Sequence, residues 1–145
     1  YNNRGIVFAR LGQPQKAIAD FSKAIALHPG FVDAYNNRVA VYATLGQYEK
    51  AINDLNKAVS VNPDHLKCYI NLAALYGTLN QYDHVIKSLS EAIRLQPDNA
   101  LFYFNRGFAG AKTGLDTFAD RCMKGAVLGI RLAGRAGQTA KNAGG

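Results

Sequence analysis

Four asparagines, Asn3, Asn37, Asn71 and Asn105, recur at a spacing of 34 residues. Asparagine is a mediocre residue inside a helix, so its return in every copy asks for a reason. A carboxamide presents one donor group and one acceptor. It can pair with both the N–H and the C=O of an extended peptide without reading its side chains. It can equally bond to a neighbouring turn, and the residues alone leave both readings open. Other reactive side chains are scattered. His28, His65 and His84 lie apart, and Cys68 sits three residues from His65 with no second pair to complete a zinc site. No Ser/His/Asp set, paired-carboxylate motif or phosphate-binding glycine loop is present, and Gly107 to Gly114 follows no strand. The expectation is a chain that binds rather than catalyses, without cofactor or metal.

The asparagines belong to a larger pattern. Tyr1, Tyr35, Tyr69 and Tyr103 share the period of 34, as do Ala24, Ala58, Ala92 and Ala126, and Pro29, Pro63 and Pro97. A fixed period of this length signals a stacked array of one structural unit. Within the unit, Tyr1, Arg4, Gly5, Phe8 and Leu11 form a helical stripe, which Gly12 and Gln13 break. Pro14 suits the first position of a second helix, whose stripe is Ala17, Ile18, Phe21, Ala24, Ile25 and Leu27 before Pro29-Gly30 ends it. Small residues at the crossing (Gly5 and Ala17, Val39 and Ala51, Ala73 and Val85) permit helix axes about 8–10 Å apart. The repeats run over about 1–31, 32–65, 66–99 and 100–131. The last is degraded: Gly110 and Thr113 replace large apolar residues, and Arg131 stands where proline is due. Residues 132–145 read as a Gly-rich basic tail.

These residues resemble the tetratricopeptide repeat, most fully in the second copy, with Tyr35, Val39, Tyr42, Gly46, Ala51, Leu55, Ala58 and Pro63. The resemblance covers residues 1 to about 130. It implies an all-α, right-handed superhelical solenoid of about four antiparallel helix pairs, with the first helix of each pair lining a concave groove, and a protein-binding scaffold rather than an enzyme. The asparagines are similar to a ladder on the tetratricopeptide domain of O-linked N-acetylglucosamine transferases that holds peptide backbone. The carboxylate clamp of chaperone co-factors fits poorly. Its positions fall on Asn2, Ile6, Asn37, Lys67 and Asn71, and only Asn37 and Lys67 match. Other groove positions change along the chain: Asn2, Asn36, Ile70 and Phe104 are equivalent, and so are Ile6, Ala40, Ala74 and Phe108. The expected groove is therefore polar at its N-terminal end, with Phe104 and Phe108 offering apolar anchors at the other, unless the C-terminal segment covers them. Arg4, Arg38 and Arg106 replace the usual leucine, and are expected to meet an acidic ligand or to send their heads to solvent.

The net charge of +7 is uneven. Arg121, Lys124, Arg131, Arg135 and Lys141 come without an acid after residue 120, whereas the other 120 residues carry 12 basic and 10 acidic side chains. Basicity is thus a C-terminal property, and nucleic acid is not an expected partner. A protein or peptide is. The alternative is self-assembly, in which repeat ends such as the patch of Tyr1 and Phe8 dock between copies, with the basic tail as a tether to an anionic surface. No apolar run is long enough to span a membrane. Tyr1 is not an initiator Met, so the chain is expected to be a fragment or processed product. Its compartment is unread, with cytoplasm the default.

Overall fold

In a computed structural model, which describes residues 1–114, the chain forms seven helices: α1 (Asn2–Arg10), α2 (Pro14–Leu27), α3 (Val32–Thr44), α4 (Tyr48–Val61), α5 (Leu66–Thr78), α6 (Tyr82–Leu95) and α7 (Ala100–Thr113). They pair as the hairpins α1–α2, α3–α4 and α5–α6, and each second helix packs on the next first helix. The result is the all-α solenoid that the period of 34 implies. The second helix of the fourth repeat, with Ala126, Cys122 and Arg131, and the tail 132–145 lie outside the described residues.

Glycine and proline punctuate the array for separate reasons. Gly12, Gly46 and Gly114 hold φ near +70° where a first helix ends, a conformation that a Cβ disfavours. Asn80 occupies the same place in the third hairpin at φ 56°, and asparagine tolerates this region best among the other residues. Between repeats, His28, Asn62 and Gln96 leave the helical region, with φ of −137°, −133° and −140°, because the proline that follows each one disfavours the helical conformation before it.

The core is a chain of overlapping clusters rather than one ball. Ala17, Ala51, Ala58 and Ala92 are fully buried at the crossings. Tyr35, Leu55, Cys68 and Leu72 pack together between the second and third hairpins. Burial pushes the Cys68 thiol up from its ordinary value, so this cysteine behaves as a small core residue.

Candidate interaction face

The predicted site residues sit on the first helices, which lie side by side. Their contact is polar and regular. Asn37 on α3 donates from Nδ2 to Oδ1 of Asn2 on α1 at 3.1 Å. Asn71 on α5 donates in the same way to Asn36 on α3 at 3.3 Å. Asn37 and Asn71 are thus each tied to the residue 35 positions earlier. At the next step Ile70 stands where Asn2 and Asn36 stand, and it offers Asn105 no acceptor. Asn37 and Asn71 are half-buried, while Asn3 and Asn105 are exposed. Asn36 is only 6% exposed. Its Nδ2 also reaches Cys68 Sγ at 3.4 Å and Val32 O at 3.3 Å, so it joins two repeats and has little surface to offer a ligand. Lys67 is exposed, and Ile70 is partly so.

Phe104 and Phe108 are 70% and 56% exposed, and with Leu101 they form an apolar stripe along α7. Lys112 Nζ lies 5.4 Å from the Phe108 ring centre, within the range of a cation–π contact.

The N-terminal end differs from its expected polar character. Between α1 and α3 lies a pocket of about 410 Å³, lined by Ile6, Ala9, Phe21, Ala40, Val41 and Leu45, with Asn37 and Arg10 among its other walls. The polar side chains of Asn2 and Asn37 are engaged with each other, which leaves the aliphatic groups around them to line the opening.

The arginines correct a further expectation. Arg4 holds Asp20 through two bonds of 2.7 and 2.8 Å, and Arg38 holds Asp54 through two bonds of 2.7 Å. Each is therefore engaged with the carboxylate 16 residues on, Arg38 inside the hairpin and Arg4 while still largely exposed. For Arg38, whose side chain is only 13% exposed, the reason is burial, whereas Arg4 makes its pair with a side chain that is 61% exposed. A guanidinium between the helices of a hairpin needs a counter-charge, and the fork of Arg matches a carboxylate in two-point geometry. Arg38 additionally donates to Ser22 on the preceding hairpin at 2.7 Å, and Arg106 donates to the equivalent Ser90 at 3.2 Å. Burial pulls the Arg38 guanidinium down, but the Asp54 bonds and charge outweigh it and the net direction is up.

The hydrogen bonds from Arg4 hold the Asp20 carboxyl below its ordinary value, against an opposing effect of burial. A depressed carboxyl stabilises the fold above its unfolded pKa, about 3.9 for Asp, and this contribution disappears as pH falls through the lower folded value. In acid unfolding followed by circular dichroism, Asp20→Asn should therefore flatten the pH dependence below about pH 3.9 relative to the parent. An unchanged acid limb would show that the pair adds nothing.

Among the described residues no group of three His, Cys, Asp or Glu side chains is placed to hold a metal ion, and no helix is long and apolar enough to cross a membrane.

Stacked helix hairpins with a continuous first-helix face define a helical repeat protein. Models of the tetratricopeptide repeat match residues 1–31 and 31–98, and the chain belongs to that family. No curated protein matches it. Among solved structures the chain is similar to MamA, at 23% identity and a TM-score of 0.69, over 79% of this chain and 62% of that one. It is also similar to the first TPR domain of Spaghetti (RPAP3) bound to an HSP90 peptide, at 21% identity and a TM-score of 0.67, over 78% of this chain and 92% of that one. The TPR domain of Arabidopsis OM64 is similar too, at 22% identity and a TM-score of 0.65, over 74% and 89% of the two chains. The chain therefore spans less than two thirds of that MamA chain, and at these identities the likeness is one of fold.

Proposed function

We propose that the chain is a non-catalytic protein-interaction scaffold whose first-helix face holds an extended peptide by its backbone. The observation that carries this reading is the state of Asn37 and Asn71. Each spends one N–H on the asparagine of the preceding repeat. Each carboxamide is thereby fixed in place, and it keeps a carbonyl oxygen and a second N–H for a ligand. A side chain already held loses less freedom when a peptide binds. Neighbouring first helices about 8–10 Å apart would place one asparagine per roughly three residues of extended chain at about 3.3 Å each. Asn3 and Asn105 extend the row at either end, with Asn2 and Asn36 as its anchors. Lys67, Ile70, Phe104 and Phe108 flank it, and give the C-terminal half its apolar contacts. That a domain of the same fold, in RPAP3, is bound to a peptide supports the reading.

The test is a peptide selected from a displayed random library, measured by fluorescence anisotropy against the parent and the Asn37→Ala/Asn71→Ala variant. Two lost hydrogen bonds of about 1 kcal/mol each should weaken binding by about 30-fold. Equal affinity for both proteins would overturn the ladder.

A further inference from the structure

We infer that the pocket between α1 and α3 is the seat for one aromatic side chain, tyrosine or phenylalanine, of a bound partner chain. This rests on the peptide-binding reading above and names the residue that such a ligand must carry. The argument comes from comparing the hairpins. The second helix of the second hairpin begins with Tyr48 and that of the third with Tyr82. The first hairpin has Pro14 at that place. Tyr48 packs into one cluster with Ala43, Leu55, Leu75 and Leu79. Tyr82 packs against a cluster that includes Leu89 and Ala109. The residues equivalent to the Tyr48 set are Ala9, Phe21, Val41 and Leu45, and together with Pro14 they line the pocket.

The same walls therefore surround a ring in one place and an opening in the other. The proline that starts α2 well cannot fill the space that a tyrosine fills. Phe21 does not compensate, because its ring lies against Gly5. The volume of about 410 Å³ falls in the range of ligand sites, about 300–1,000 Å³, with room for one ring and its attachment. The wall is apolar and suits a ring face. Arg10, also in the wall, has no ion pair or hydrogen bond among the described residues. This chain lays cations over rings elsewhere, with Arg4 5.3 Å from Tyr1 and Arg38 5.8 Å from Tyr42, and Arg10 is placed to do the same for a ligand. Asn37 borders the pocket, so a backbone held there would present its side chain to the opening.

The probe is p-cresol, the tyrosine side chain as a free molecule, titrated into the full chain and read by amide chemical shifts. The expected result is saturable shifts at Ala9, Ala40, Val41 and Leu45. These should be lost in Pro14→Tyr, which builds into the first hairpin the ring that the other two already have, and should weaken at least tenfold in Ala40→Leu, which narrows the mouth from its exposed side and keeps the proline. The absence of saturable shifts in the parent, or shifts that persist in both variants, would overturn the pocket. With the selected peptide, lower affinity in Asn71→Ala but not in Pro14→Tyr would overturn the aromatic seat and keep the ladder. Lower affinity in Pro14→Tyr alone would do the reverse.

Discussion

Replacing Arg38 with Ala is expected to lower unfolding stability by about 3–5 kcal/mol, the cost of leaving one partner of a buried ion pair without the other. Asp54 is almost wholly enclosed, and the Arg38 side chain is only 13% exposed. Asp54 would therefore keep its burial and lose both short bonds. The ring of Tyr42, 5.8 Å from the guanidinium, would lose its cation as well. Ser22 would be spared, since its hydroxyl also donates to Ile18 O at 2.6 Å. The double change Arg38→Leu/Asp54→Ser should recover most of the loss, because removing a buried charge together with its partner by well-packed groups is often neutral. The third hairpin already carries that combination as Leu72 and Ser88, both buried. Urea unfolding of the parent, the single variant and the double variant decides the matter. A single variant within about 1 kcal/mol of the parent, as for an exposed pair, would contradict the buried role.

Phe21→Ala should cost about 3–5 kcal/mol as a large-to-small change in the core. The ring is 1% exposed, and a Cβ placed on Gly5 would lie 2.7 Å from its Cε1. Ring and glycine are therefore one fitted pair. Gly5→Ala alone gains about 1 kcal/mol of helix propensity but drives its Cβ onto the edge of the ring, and overpacking costs about 1–3 kcal/mol. Phe21→Leu alone leaves a void above Gly5. The two together reproduce Ala73 and Leu89 of the third hairpin, and the double variant should be more stable than the sum of the single changes implies. Strict additivity in thermal unfolding would show that the two positions do not share space.

The architecture was legible because three signals agree: the period of 34, the glycine or, once, asparagine that ends each described first helix, and the proline two residues past each described second helix. All three depend on local backbone chemistry, which a sequence displays directly. The polar contacts were harder, because they depend on which faces of a hairpin meet. Arg4 and Asp20, Arg38 and Asp54, stand at one spacing of 16, and Leu72 with Ser88 loses both charges together. That paired loss is the available signal, and it shows only when the two helices of a hairpin are compared at a spacing of 16. Asn36 misleads for a related reason. It precedes Asn37 and looks equally available, but a rotation of about 100° per residue carries it under α5, against Cys68. The pocket shows only as a departure, Pro14 where Tyr48 and Tyr82 stand, and a residue that starts a helix well gives no hint of the volume it fails to fill.

The asparagine links also bear on mechanics. Such an array behaves as units coupled to their nearest neighbours, and its weakest joint opens first. The joints from α1 to α3 and from α3 to α5 each carry an amide bolt, whereas Ile70 leaves the step from α5 to α7 without one. The first-helix face is therefore bolted through α1, α3 and α5 and loses that bolt at α7, which is held by its packing on α6 instead. A ligand that grips both the asparagine row and the Phe104–Phe108 stripe would supply across that step the link that Ile70 omits.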